Sequence, residues 1–386
     1  MAEIWFGADA DPPSPPKSRP GRKMEFLELK AAADNAGGAS SSGRKRRSVQ
    51  PFPRRCENED DENRGQRNDD RNDDEVEVKY GVTSVCGRKR EMEDTVSVHL
   101  YFATQKNEPQ IPLHFFGVFD GHGCSHVSKS CKNRMHEIVK EEIDEMEIEE
   151  TEEWKKIMRR SFGRMDGEVM KQREEASSSE SNNISCRCEL QTPNRYDTVR
   201  SNALIALLMP HKFIIANCGD SSAVLSRKTT GILPLSSEHK PDRGDELSRI
   251  ESRGGRVIYR EGARVLGVYT TSRAIGDGCL KPYVISEPEV VIMDRTAEDE
   301  FMILATDGLW DVVTNETACD AVRTCMRAHR PLSSSSESSG SMSGGPDKTC
   351  SDASILLTKL AMAKHSSDNI TIVVIDLRTS SPQPKH

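Results

Sequence analysis

Aromatic residues are scarce in this chain. They make up 5% of its 386 positions, and three of them are tryptophan: Trp5, Trp154 and Trp310. Basic residues are outnumbered too, giving a net charge of −8. A chain without interleaved stacking and basic residues is a poor nucleic-acid binder, so no nucleic-acid partner is expected. No apolar run approaches the ~20 residues of a membrane helix, and the N-terminus shows no signal-peptide core. Both absences predict a soluble, intracellular protein with no membrane partner. The eleven cysteines lack framework spacing and are odd in number, so they read as free thiols in a reducing compartment. Cys186 and Cys188 form a close pair without further placeable ligands, and read as surface loop rather than zinc site. A Cys-x5-Arg phosphate cradle is also missing from any credible context, which removes cysteine-phosphatase chemistry.

What is present is a core with polar additions. Hydrophobic residues are 35% and charged residues 30%, a balance that predicts disordered segments around a folded domain. Residues 1–75, rich in Pro, Gly, Ser, Arg and Asp, read as a disordered extension. Its Arg44-Lys45-Arg46-Arg47 cluster is either a nuclear import signal or a solvated charge run. A domain is expected over 76–378, with polar insertions at about 174–194 and 333–350 and a short tail at 379–386.

Within the domain, Val76, Val78, Tyr80 and Val82 alternate as in a half-buried strand, as do Val96, Val98 and Leu100. Val127, Cys131, Met135, Ile138 and Val139 fall at helical spacing, and Trp154, Ile157, Met158, Phe162 and Met165 predict a second helix. Each helix has one apolar stripe and should cover a sheet. Strands are expected at Ala203–Leu208, Lys212–Asn217, Ala223–Ser226, Val290–Met293, Phe301–Ala305 and Ile370–Leu377. Asp242 is positioned to cap a helix through Ile250, ended by Gly254-Gly255. Two later helices carry Cys319, Val322 and Met326, and Leu356, Leu357 and Leu360. Many strands with helices in pairs fit an α+β layered fold better than alternating parallel units.

Chemistry gathers where carboxylates close apolar stretches. Asp120-Gly121-His122-Gly123 ends the run Phe115-Phe116-Gly117-Val118-Phe119. The carboxylate can hold a hard cation, the glycines let backbone come close, and the histidine can donate a proton. Glu91-Met92-Glu93-Asp94, Asp307-Gly308-Leu309-Trp310-Asp311 and Asp368-Asn369 are placed similarly. Oxygen ligands without a His or Cys set imply Mg²⁺ or Mn²⁺ rather than zinc. Two such ions about 4 Å apart would acidify a shared water and neutralise a phosphoryl group, with no covalent intermediate.

From Tyr80 to Leu377 the chain resembles the protein phosphatase 2C family, the metal-dependent Ser/Thr phosphatases. The resemblance rests on Gly87–Asp94, Phe116–Gly123, Ala216–Leu225, Glu238–Ile250, Ser272–Pro282, Leu304–Val312 and Ser367–Val374, in family order. It implies an αββα sandwich of two antiparallel sheets flanked by helices, with a binuclear site at one end. It puts the bridging ligand on Asp120, a carbonyl ligand on Gly121 and direct carboxylates on Asp307 and Asp368. Glu93 and Asp94 match residues acting through metal-bound water, and Asp220 and Asp311 match positions of a weaker third ion. His122 matches the proposed general acid; the plainer alternative is a histidine capping the next helix.

The chain departs from the family at three places. The phosphate-binding arginine is Lys89, which keeps the charge but loses the bidentate fork; Arg88 or Arg90 could compensate. Ser222 replaces the arginine of Gly-Asp-Ser-Arg, and Arg200-Ser201-Asn202-Ala203 replaces Gly-Ser-Thr-Ala. An active monomeric enzyme is still expected, the alternative being a weak pseudophosphatase that docks on kinases.

Ser236–Glu246 and Gly262–Asp277 resemble the plant group that restrains abscisic acid signalling, in particular its germination-related branch. That resemblance implies SnRK2-type kinases as substrates and a nuclear and cytoplasmic location. The tryptophan that senses hormone receptors in this group aligns with Arg260, after Tyr259. An arginine cannot enter a small apolar lock without stranding a charge, so weak or no receptor binding is expected unless Tyr259 substitutes.

Overall fold

Strands form where branched and aromatic residues alternate or run together, and helices where apolar residues recur every three or four positions. The computed structural model describes residues 78–104, 111–148, 151–178, 199–328 and 346–378. The expected extension at 1–75, the Cys186–Cys188 pair, most of both insertions and the 379–386 tail lie outside the described residues.

In chain order the elements begin β1 (Lys79–Val85), β2 (Thr95–Thr104), β3 (Pro112–His122), α1 (His126–Glu145), α2 (Thr151–Ser178), β4 (Arg200–Leu208) and β5 (Lys212–Cys218). Then come β6 (Ser222–Arg227), β7 (Gly231–Pro234), α3 (Gly244–Ser252), β8 (Val257–Tyr259), β9 (Ala263–Val265) and β10 (Ile275–Gly276). The chain continues through β11 (Glu289–Asp294), β12 (Asp299–Ala305), α4 (Asp307–Trp310), α5 (Asn315–Ala328), α6 (Lys348–Ala363) and β13 (Ile370–Asp376). One sheet has the order β1-β13-β12-β6-β7, the other β11-β5-β4-β3-β2 with β10 paired to β4. All of these strand pairs are antiparallel.

The period-two rule divides β3 between two cores. Phe116 and Val118 pack with Leu204, Leu225, Leu304 and Val373 between the sheets. Phe115 and Phe119 face the other way, against Met135, Ile138, Trp154 and Phe162 of α1 and α2. Cys319 and Val322 of α5 and Leu357 of α6 cover the opposite sheet through Ile303 and Ile372. The layers are therefore αββα, two sheets face to face with a helix pair outside each. Among the described residues no helix is long and apolar enough to cross a membrane.

Several local expectations differ from the structure. The α3 helix is preceded by Arg243, not capped by Asp242, which is exposed. Acidic Asp245 and Glu246 in its first turn complement the helix dipole instead. The first insertion was expected from residue 174, yet α2 continues to Ser178; a polar run of good helix formers extends a helix already anchored by packing. The second insertion was expected to reach 350, but Asp347 caps α6 by accepting from Cys350 N. Leu356, expected among the packing residues of this helix, is exposed beside Ile355. The buried stripe is Cys350, Ala353, Leu357 and Ala361, and Leu356 lies about 100° round from Leu357.

Candidate functional site

Strands from both sheets end at one edge, and their ends carry the acids. Asp120 closes β3, Asp220 lies in the β5–β6 turn, Asp307 opens α4 after β12, and Asp368 precedes β13. Asp120, Asp220 and Asp307 each bring a carboxylate oxygen within 4.8 Å of the others. Asp120 and Asp220 are buried and Asp307 is half-buried. A Cβ on Gly308 would overlap the Asn369 carbonyl, so glycine there lets the Asp307 turn close against the Asp368–Asn369 segment.

Electrostatics at the cluster are unfavourable without a counter-charge. Burial pushes the Asp120 carboxyl well above its usual range, and the charges of Asp307, Asp94 and Asp220 add to that. Asp307 is raised in the same way, by burial and then by Asp220 and Asp368. Asp94 is pushed up to about 6 by burial, against hydrogen bonds that include one from Thr306 Oγ1 at 3.1 Å. Burial also raises Glu93; its backbone N donates to Asn369 Oδ1 at 2.8 Å, and its carbonyl accepts from Ser128 Oγ. Buried carboxylates facing one another are costly unless a cation balances them. The all-oxygen donor set fits a hard divalent ion.

The remaining expected residues surround this trio. Asp368 is not part of it; its Oδ1 lies 2.8 Å from Lys89 Nζ, and both side chains are partly exposed. Burial opposes the Lys89 charge, but the Asp368 hydrogen bond together with the charges of Asp368, Glu93 and Asp120 makes it more basic. Arg88 does not stand in for a phosphate-binding arginine, because its guanidinium donates to the Ser366 and Met362 carbonyls at the end of α6. Arg90 is exposed. Gly121 pairs with Ser201 across the β3–β4 register, directly after Asp120. His122 Nδ1 is 3.3 Å from Asp120 Oδ1 but off hydrogen-bond geometry, and burial lowers its affinity for a proton. Asp311 sits one turn after Asp307, exposed, with its N donating to the Asp307 carbonyl. Ser222 begins β6, and its carbonyl accepts from Trp310 Nε1 at 3.1 Å.

Arg260 stands apart, at the exposed tip of the β8–β9 hairpin, where its N donates to Gly262 O. Tyr259 beside it is 67% exposed. The base of this flap is a small core of Ile250, Val265, Tyr269, Ala274, Leu280 and Val284.

Three residues at the site were not singled out from sequence. Lys240 reaches Asp220 Oδ2 at 2.6 Å and is made more basic by Asp220 and Glu238 despite its burial. Asn202 donates to both Asp120 and Asp220. Tyr269 lies edge-on to His122 at 5.5 Å. None had a local sequence signal as strong as an acid closing a strand, although Asn202 lies in a stretch already noted as departing from the family.

The protein phosphatase 2C family profile matches residues 78–370. Protein phosphatase 2C 3 of Arabidopsis thaliana is 54% identical over 329 residues, covering 79% of this chain and 72% of that protein. Probable protein phosphatase 2C 9 of Oryza sativa subsp. japonica is 46% identical over 404 aligned positions, covering 98% of this chain and 89% of its own. In fold, the chain is similar to a crystal structure of serine-threonine phosphatase 2C from Toxoplasma gondii. That likeness has a TM-score of 0.61 at 21% identity, over 78% of this chain and 95% of the other. With its layered sheets, clustered acids and plant relatives, this chain belongs to the protein phosphatase 2C family, the metal-dependent Ser/Thr protein phosphatases.

Proposed function

We propose that this phosphatase works with two Mg²⁺ or Mn²⁺ ions held by Asp120, Asp307, Asp368 and the Gly121 carbonyl. In this reading Glu93 and Asp94 act through water, and Asp220 and Asp311 serve a weaker third ion. The observation that carries it is the convergence of Asp120, Asp220 and Asp307, where burial and facing charges disfavour the ionised forms of Asp120 and Asp307. Ions bound there would supply charge to neutralise phosphoryl oxygens and would acidify a water. His122 gives its proton to the departing Ser or Thr oxygen. Lys89 exchanges Asp368 for the phosphate and orients it as a point charge. Titrating Mn²⁺ or Mg²⁺ against phosphopeptide hydrolysis tests the reading. Wild type should respond and Asp307→Ala should not; equal responses would defeat it.

Lys89→Arg restores the two-pronged contact and should raise phosphopeptide kcat/KM by roughly 3- to 10-fold. Unchanged or lower activity would contradict the phosphate role. A pseudophosphatase would show no metal-dependent phosphate release from either chain.

The proposed setting is negative regulation of abscisic acid signalling in nucleus and cytoplasm, with SnRK2-type kinases as substrates. Its support is the resemblance of Ser236–Glu246 and Gly262–Asp277 to that plant group. Hormone receptors would inhibit this enzyme poorly, because the hairpin tip offers a charged Arg260 where an apolar lock needs an uncharged ring. With receptor and hormone in excess, wild type should keep most of its activity and Arg260→Trp should lose it. Strong inhibition of wild type would show that Tyr259 takes the role.

A further inference from the structure

Asn202 faces Asp120 directly across the β3–β4 register. Its Nδ2 donates to Asp120 Oδ2 at 3.1 Å and to Asp220 Oδ1 at 2.7 Å, so both amide protons are taken by acids. Its Oδ1 accepts from the Tyr269 hydroxyl at 2.9 Å. The reverse orientation would press the amide oxygen against two carboxylate oxygens, so the neighbours select one orientation. Tyr269 is buried in turn, with the Arg200 guanidinium 3.7 Å above its ring centroid, and Arg200 is held by an ion pair to Asp277. A Cβ on Gly219 would overlap the Asn202 side chain, so the slot behind the amide exists because glycine stands there.

We propose that Asn202 is a positioning residue for the acidic trio, holding Asp120 and Asp220 at ligating distance, and that the Tyr269 hydroxyl sets its orientation. A hydroxyl side chain such as threonine has one proton and could donate to one acid at a time. Asparagine donates to both. Arg200 and Tyr269 complete a chain of contacts from the flap base to the cation site, so the flap core and the trio share one support. Groups that orient metal ligands in this way typically change affinity 10- to 100-fold when removed.

This inference rests on the trio being the cation site, and its test separates the two. Free Mn²⁺ is followed by electron paramagnetic resonance during titration of the full chain, alongside melting in chelator and phosphopeptide KM at saturating Mn²⁺. Tyr269→Phe, which removes a single oxygen, should weaken Mn²⁺ binding about 10-fold, and Asn202→Leu roughly 10- to 100-fold. For Tyr269→Phe, melting in chelator should stay within about 4 °C of wild type. KM should be unchanged, since neither side chain is assigned to substrate. Wild-type Mn²⁺ affinity in both variants, with Asp307→Ala losing binding, would overturn the positioning role alone. Wild-type affinity in Asp307→Ala would overturn the cation site and the positioning role together.

Discussion

Replacing Asp120 by asparagine is expected to move activity and stability in opposite directions. Losing the proposed bridging carboxylate removes several kcal/mol of charge stabilisation from phosphoryl transfer, a fall in kcat/KM of about 10³-fold or more. In chelator the same variant should melt higher than wild type. Burial and the facing charges of Asp307, Asp94 and Asp220 disfavour the ionised Asp120 carboxylate, and the neutral amide removes that conflict at equal size. The amide oxygen can still accept the Asn202 bond. Relief of about 1–2 kcal/mol corresponds to a rise of roughly 2–8 °C for a domain of this size. Added Mn²⁺ should stabilise wild type by binding its folded state and lose that effect in the variant. A variant that melts below wild type in chelator would show that the acids are held by something other than a cation.

Glu246→Ala should be among the most destabilising single changes in the domain. The Glu246 carboxylate is buried at the start of α3 and accepts from Arg249 at 2.7 Å, from Arg273 at 2.6 Å and from Ser272. Truncation strands two guanidinium groups: Arg249, whose other bonds tie α3 to the Ser272 and Tyr283 carbonyls, and Arg273, which also donates to the Glu287 carbonyl. Breaking such a buried arrangement costs about 3–5 kcal/mol. Burial alone would raise the Glu246 carboxyl, but Arg273, Arg249 and Ser272 hold it at about 2, below its ordinary 4.5. The folded state therefore binds fewer protons than the unfolded one between these values. The contribution, about 3 kcal/mol, is complete above pH 4.5 and is lost as pH falls through 2. Urea unfolding at pH 7 and pH 3 should show the gap between wild type and Glu246→Gln shrinking at the lower pH. A gap independent of pH would mean that shape, not charge, makes the difference.

Glu246 also shows where sequence reading stops. Within its block it is one acid among several, and nothing local separates it from exposed Asp245 beside it. Besides Arg249 on the same helix, its partners are 26 and 27 positions away at Ser272 and Arg273, brought close only when the flap core folds. The acidic cluster was easier to anticipate, because an acid closing an apolar strand leaves a local mark. Asp120, Asp307 and Asp368 carry that mark, and all three lie at one edge of the sandwich. Their relative placement was not legible: Asp220 joins Asp120 and Asp307 in the tight trio, while Asp368 pairs with Lys89. Which carboxylates converge depends on how the β5–β6 turn and the segment before β13 are held, and that is decided by contacts between sheets.

By itself the sequence determined an α+β layered fold, since period-two and period-3.6 apolar patterns are local and each leaves one face to bury; the αββα order was implied by the family resemblance. It also determined the family, because the motif blocks occur in order along the chain. Tertiary structure alone decided where α2 ends, which side of α6 faces out, and that Arg88 is committed to the Ser366 and Met362 carbonyls. It alone joined Asn202, Tyr269 and Arg200 into one support for the acids. Hydrogen bonds and ion pairs have a reach of a few ångströms in space and none along the sequence, so residues 67 positions apart become partners only after folding.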